Sequence, residues 1–193
     1  MSKKFVTILI MGVAGSGKTT VAKLLSKKIN AFLIEADDYH SKKNIDKISA
    51  GIPLNDDDRY DWIIKIKEEI DKRKNFQNLV ITCSALKEKY RSILKVKKDY
   101  LVYLKITKNT AKTRIKNRQD HFMPESLVES QFAILEEPDA CITLDETLTP
   151  EETTSHLTSI IRDKFRLWKI KLIITEIYLK KLNLILNLKK FLI

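Results

Sequence analysis

The chain is poor in the residues that loosen or staple a polypeptide. Its 193 residues include four glycines, four prolines and two cysteines. So little glycine and proline argues against extended disorder. The two cysteines, Cys83 and Cys141, lack metal-ligand spacing and are too few for a disulfide framework, which points to a reduced, intracellular compartment. There is no aromatic-rich RNA motif and no zinc pattern. The formal net charge of +11 therefore does not require nucleic acid, because a modestly basic body suits any polyanionic ligand. Charged residues interrupt the apolar stretches, so no transmembrane span of ~20 residues is expected. Lys3 and Lys4 before an apolar run imitate a signal peptide, but no small-residue cleavage site follows and the run reads as a first strand. The length suits one domain with a proper core and an appendage.

What is present begins with Gly12-Val13-Ala14-Gly15-Ser16-Gly17-Lys18-Thr19, which fits the phosphate-loop pattern G-x-x-x-x-G-K-[ST]. Its context agrees. Phe5 to Met11 is a continuous apolar run suited to a strand buried on both faces, and Val21, Leu24, Leu25 and Ile29 recur at helical spacing. The alternative is a flexible Gly/Ser loop with no ligand. In the phosphate-loop reading, backbone N–H groups and the positive end of the following helix converge on phosphate oxygens. Gly12, Val13, Ala14, Gly15, Ser16, Gly17, Lys18, Thr19 and Thr20 are then expected to bind a nucleoside triphosphate. Lys18 reaches the β- and γ-phosphates, and Thr19 is the Mg²⁺ ligand.

Apolar runs at 4–11, 31–35, 78–83, 99–106 and 140–144 alternate with helical patterns at 18–29, 42–50, 58–74, 86–96, 108–118, 126–136 and 150–165. Thr149-Pro150-Glu151-Glu152 reads as a capping box opening the last helix. The alternation predicts an α/β protein of the P-loop NTPase type, with helices on both faces of a five-stranded parallel sheet and a small lid over about 117–126. In such sheets ligands sit at the carboxyl ends of the strands, and the candidates stand there. Asp37, Asp38 and His40 follow the second strand; a carboxylate there can accept a proton from a substrate hydroxyl or hold Mg²⁺ through water, or the segment is simply a solvated acidic turn. Asp56, Asp57 and Asp58 suit a helix start. Arg59 does not suit the dipole and is a candidate clamp for an anionic substrate. Ser84 is either a substrate contact or a helix cap. Arg114 and Arg118 share one helix face, either as lid arginines that stabilise a transferring phosphoryl group or as a solvated cationic face.

These segments together resemble a gluconokinase of the small P-loop type, related in fold to shikimate and adenylate kinases. The resemblance runs from about Ile8 to about Ile161. It is carried by Met11 to Thr20, Asp37-Asp38-Tyr39-His40, Gly51-Ile52-Pro53-Leu54-Asn55-Asp56-Asp57-Asp58-Arg59, Cys83-Ser84-Ala85-Leu86-Lys87 with Tyr90-Arg91, and His121-Phe122-Met123-Pro124 leading to Ser130-Gln131-Phe132 and Leu135-Glu136-Glu137-Pro138. The phosphate loop is common to many kinases, and the other segments are the specific ones. The resemblance implies ATP- and Mg²⁺-dependent phosphorylation of D-gluconate at its 6-hydroxyl. Lys18, Asp37, Arg114 and Arg118 would be catalytic, and Asp37, His40, Arg59, Ser84, Lys87, Arg91, His121 and Gln131 would face the substrate. A cytoplasmic homodimer completes the expectation. The rivals are a kinase for another acceptor, such as shikimate or a nucleoside monophosphate, and a nucleotide-binding regulatory module.

The chain departs from the family at Glu35-Ala36, where Asp-Gly is usual, at Ser41-Lys42, where Pro-x is frequent, and at Gln119-Asp120, where a basic residue and glycine are common. It departs most after about residue 165. Residues 166–193 are almost wholly Leu, Ile, Lys and Asn, with seven Lys/Arg against one acidic residue, so they hold +6 of the net charge. This extension beyond the 1–165 kinase domain is read as a basic amphipathic helix for a membrane or partner, as a continuation of the last helix, or as sequence added by a shifted frame or a lost stop. Its biased composition favours the last.

Overall fold

The computed structural model describes residues 5–97, 100–117, 124 and 126–164. Contacts divide the chain at Thr154/Ser155 into two units, and the sheet and cavities described below lie in the first. The extension 166–193, Arg118, His121 and most of the expected lid lie outside the described residues.

Five parallel strands form one sheet: β1 (Thr7–Met11), β2 (Ala31–Glu35), β3 (Asn78–Thr82), β4 (Leu101–Lys105) and β5 (Ile142–Asp145), in the spatial order β2-β3-β1-β4-β5. Central β1 takes Leu79 opposite Thr7 on one side and Leu101 opposite Leu9 on the other. Its Ile8, Leu9, Ile10 and Met11 are fully buried, as expected of a strand covered on both faces. Alternation sends them to different cores. Leu9 and Met11, with Leu79 and Ile81 of β3, pack on Trp62, Ile63, Ile66 and Ile70 of α3 (Asp56–Arg73) and on Tyr90 and Leu94 of α4 (Glu88–Leu94). On the opposite face α1 (Lys18–Lys28) lies along β2, β3 and β1. The remaining helices are α2 (Lys42–Ser49), α5 (Lys108–Lys116), α6 (Ser126–Ala133) and α7, over 150–164.

Local chemistry sets the element ends. α3 starts two residues earlier than its apolar periodicity predicts, because Asn55 and Asp58 form a capping box: the Asp58 N–H donates to Asn55 Oδ1 at 2.8 Å and the Asn55 N–H to Asp58 Oδ2 at 3.1 Å. The capping box expected at α7 is present, with the Thr149 N–H donating to Glu152 Oε2 at 2.8 Å and the Glu152 N–H to Thr149 Oγ1 at 3.2 Å. α6 stops at Ala133, short of the predicted 136; the chain then passes the segment between β3 and α4, where the Glu136 N–H donates to the Leu86 carbonyl at 2.8 Å. Among the described residues no helix is long and apolar enough to cross a membrane.

The chain leaves β1 toward β2, returns to fill the gap with β3, and only then adds β4 and β5 on the other side. The strand order thus reverses at β1, whose carboxyl end is the topological switch point where open α/β sheets bind ligands.

Candidate active site

Backbone geometry shapes the loop at that switch point. Gly12 has φ +148°, and a Cβ there would come within 2.8 Å of both the Leu104 carbonyl and Ser16 Oγ. Only glycine lets the strand end pass so close to β4. Gly17, at φ +92°, is the N-cap of α1, and a Cβ there would meet nothing within 4 Å. Among the described residues no side chain caps the start of α1, and an uncapped helix N-terminus is an arrangement that receives anions. Lys18 folds back over its own loop and donates to the Gly12 and Val13 carbonyls at 3.0 and 2.9 Å. The Thr19 hydroxyl donates to Glu35 Oε2 at 3.0 Å, and Lys23 stands 3.5 Å from the same carboxylate. The loop's backbone reaches α6 as well, since Gln131 Oε1 accepts from the Ala14 N–H at 2.7 Å.

These groups fit a triphosphate with its cation. Ser16 Oγ is buried with no hydrogen-bond partner among the described residues, and an orphan donor inside such a loop has a natural acceptor in a phosphate oxygen. No cluster of three or more His, Cys, Asp or Glu able to hold a metal is found among the described residues.

A cavity of about 100 Å³ opens beside the loop, and Lys18, Thr19, Asp37, His40, Arg59, Ser84 and Gln131 line it. Seven expected site residues, drawn from five different segments, thus share one space. Asp37 stands on a 3₁₀ turn, Ala36–Tyr39, directly after β2. That turn is anchored by Trp62 of α3, whose indole N–H donates to the Ala36 carbonyl at 2.6 Å. The His40 ring stacks on Trp62, with centroids 4.3 Å apart and planes 14° from parallel; such a pair is worth ~0.5–1.5 kcal/mol beyond its buried area. Burial pulls the His40 pKa below 6.5; Asp37 pushes it up, and Arg59 pulls it down. The imidazole is accordingly held toward its neutral form, and its Nδ1 is buried without a partner among the described residues. Trp62 is the main contributor that sequence reading misses. A tryptophan at i+3 from Arg59 shares its helix face, but that spacing does not distinguish a core residue from a cavity wall.

Ser84 lines the cavity and does not cap α4, whose N-cap position is Lys87. Two residues expected at the substrate do other work. Lys87 is an ion-pair partner of Asp56, at 2.9 and 3.2 Å from its two oxygens, and is absent from the cavity wall. Arg91 is buried, at 6% exposure. Its Nε donates to Glu88 at 2.9 Å and its Nη1 to the Ala85 and Leu86 carbonyls at 3.0 and 3.1 Å. A charge taken from water needs such partners, and here they are the carbonyls of a loop whose Ala85 is forced to φ +41°. Arg91 therefore holds the segment that carries Ser84 and Leu86 into the cavity wall. Cys83 next door is no nucleophile, because burial pushes its thiol up to about 12.

A second cavity, of about 290 Å³, lies on the β4–β5 side of the loop, lined among others by Gly15, Thr20, Arg114, Asp145, Pro150 and Thr153. Arg114, on α5, donates to the Gly15 carbonyl at 3.3 Å. The Asp145 carboxylate is turned into its own loop, accepting from the Thr147 N–H at 3.0 Å. The phosphate loop thus borders two cavities, one closed by α3, α6 and the turns after β2 and β3, the other by β4, β5, α5 and the start of α7.

Comparison with known proteins gives a consistent picture. A family model described as an AAA domain matches residues 8–130. A probable gluconokinase of Schizosaccharomyces pombe is 44% identical over 147 residues, spanning 71% of this chain and 75% of that protein. A thermosensitive gluconokinase of Escherichia coli is 39% identical over 137 residues, covering 69% and 73% of the two chains. Among solved structures, a gluconokinase from Sinorhizobium meliloti superposes with a TM-score of 0.73 at 33% identity, over 86% of this chain and 98% of that one.

Proposed function

The chain belongs to the gluconokinase family, and from that premise we propose that it transfers the γ-phosphoryl group of ATP to the 6-hydroxyl of D-gluconate. The observation that carries this reading is the first cavity, which sets a carboxylate, an imidazole and a guanidinium around a space beside the phosphate loop. D-gluconate is a small polyol with a hydroxyl at one end and a carboxylate at the other. Asp37 is the group that orients the 6-hydroxyl and takes its proton as the O–P bond forms. Arg59 meets the carboxylate with its planar fork. Neutral His40 and Ser84 offer hydrogen bonds to the hydroxyls between.

On the donor side, Lys18 leaves its own loop carbonyls for the β- and γ-phosphate oxygens, and the amides at the start of α1 cradle the rest. Thr19, with Glu35 behind its hydroxyl, would hold Mg²⁺, which when bound neutralises charge between the β- and γ-phosphates. The second cavity is the place for the nucleoside, with Arg114 beside it. Phosphoryl transfer asks a protein mainly for positioning and charge neutralisation, and both cavities adjoin the loop that would hold the group being passed. Arg118 and His121 are proposed to complete the site from the lid.

A coupled ADP-release assay over D-gluconate, other sugar acids, shikimate and nucleoside monophosphates tests the reading. Turnover is expected with D-gluconate. Turnover with another acceptor and none with D-gluconate would remove the substrate assignment. Lys18→Ala is expected to abolish transfer, whereas a nucleotide-binding regulatory module would keep its biological effect in that variant. Size-exclusion chromatography with light scattering tests the homodimer.

A further inference from the structure

The reaction as proposed gives no part to Asp56, Lys87, Lys89 and Tyr90, yet they form a dense polar cluster. Asp56 is the first residue of α3. Three donors from the β3–α4 segment converge on its carboxylate: Lys87 Nζ at 2.9 and 3.2 Å, Lys89 Nζ at 2.5 Å, and the Tyr90 hydroxyl. An acid that only offsets the helix dipole acts through its place in the first turn and needs no such set. The cluster joins two segments more than thirty positions apart in the chain, Asp56 with Lys87, Lys89 and Tyr90.

Arg59 stands three residues after Asp56, on the same side of α3. Its guanidinium carbon lies 6.0 Å from the centre of the Tyr90 ring, within the range of a cation–π contact. Tyr90 therefore touches α3 twice, by its hydroxyl at Asp56 and by its ring at Arg59. Burial, and then the hydrogen bond to Asp56, push the Tyr90 hydroxyl up to about 12, so it remains a neutral donor. The seat is firm from below as well, since Tyr90 is itself buried in the sheet core and its neighbour Arg91 grips the Ala85 and Leu86 carbonyls.

We propose that Asp56 is a positioning residue for the acceptor's carboxylate: through Tyr90, Lys87 and Lys89 it locks the start of α3 to α4 and so fixes Arg59 where the acid end of the substrate meets it. The inference rests on the reading of Arg59 as the partner of the acceptor's carboxylate. A long, flexible side chain binds tightly only when its geometry is set beforehand, and here a second ion-pair cluster sets it. Two opposed effects can be separated. Removing Asp56 unseats Arg59, which weakens acid binding, but it also frees two lysines, which would strengthen it. Positioning wins if a planar fork on an aromatic ring discriminates better than loose ammonium groups.

The test is steady-state kinetics of the full chain, varying D-gluconate and ATP separately, for Asp56→Asn, Asp56→Ala, Tyr90→Phe, Arg59→Ala and the Asp56→Ala/Arg59→Ala double variant. Asp56→Ala is expected to raise KM for D-gluconate about tenfold, on the scale that misplacement of a binding group costs, with KM for ATP within about twofold. Asp56→Asn, nearly isosteric, guards against a folding defect and is expected to follow in the same direction. Tyr90→Phe keeps the ring and is expected to give the smaller rise. In the Arg59→Ala background the Asp56→Ala change is expected to add nothing. Equal rises in both KM values, full additivity with Arg59→Ala, or an unchanged or lowered KM for D-gluconate would each overturn the inference. Wild-type turnover tests the functional reading on its own: if the wild type uses a different acid, that reading falls and the variants are compared on that acid. A wild type active only on uncharged acceptors overturns both.

Discussion

The two cavities that flank Lys18, Thr19 and Thr20 are built on different terms. In the smaller, three wall groups are braced by a second side chain: His40 by Trp62, Arg59 by Tyr90, and the Ser84 segment by Arg91. In the larger, whose walls include charged Lys105, Arg114, Asp145 and Glu146, three of these are tied to backbone groups: Arg114 to the Gly15 carbonyl, Asp145 to the Thr147 N–H and Glu146 to the Thr107 N–H. On the proposed assignment of acceptor and nucleoside to the two cavities, the difference matches what each ligand asks. A small flexible acceptor carries little surface, so selection must come from a few polar groups held in place. A nucleotide brings three phosphates to a loop of amides, and its remaining part can be accommodated by shape.

The widest separation between the two sides is lost when the shared element is removed. Lys18→Ala should lower kcat by at least about 10³-fold, since it takes away a cation aimed at developing phosphate charge; single-turnover phosphoryl transfer measures it. Asp37→Asn should cost about 10²–10⁴-fold in kcat, the range of general-base loss, with KM for ATP little moved; a comparable rise in that KM would show that Asp37 serves both sides. Arg59→Ala and Arg114→Ala sharpen the contrast by crossing it. The first should raise KM for the acceptor about 10–100-fold, the worth of a charge-assisted hydrogen bond, and the second should act on ATP alone. If each moved both constants equally, the two cavities would be one functional unit.

The smallest expected effect concerns His40. Its folded pKa lies below 6.5 because of burial, so the unfolded chain binds more protons once pH falls to that value. Stability is then retained above about pH 6.5 and lost as pH falls toward the folded pKa. His40→Gln should flatten the thermal-midpoint profile over that interval, and an unchanged slope would place the titration elsewhere.

Much of this arrangement was legible in the sequence, for identifiable reasons. β1 and the loop from Gly12 to Thr19 announce themselves because a doubly buried strand has to be continuously apolar, and a phosphate cradle has to have glycine where φ is positive. Three of the chain's four glycines stand in that loop. Asp37 and Arg59 were singled out by the rule that strand and helix ends face the ligand, and both line the cavity beside the loop. Lys87 and Arg91 show the limit. Both are cations beside a motif, and nothing in their order along the chain says that one answers Asp56, more than thirty residues away, while the other turns inward to two carbonyls. Trp62 was hidden for a similar reason, because its indole N–H has one partner, the Ala36 carbonyl, that only tertiary folding supplies. Local signals find groups that face outward from element ends. They do not find the groups that brace them.

The central place of β1 carries a consequence in time. Its neighbours in the sheet are residues 79–82 and 101–103, and the space that dictates glycine at position 12 is bounded by the Leu104 carbonyl. The strand is made first during synthesis but paired late, so contacts of long sequence separation must close before it is sheltered. A ribosome that has already extruded the whole phosphate loop has not yet made the strand that closes around it. Until residue 82 has been made, this apolar strand has neither neighbour, and until residue 103 it lacks the second, so its protection meanwhile falls to whatever the cell offers nascent chains.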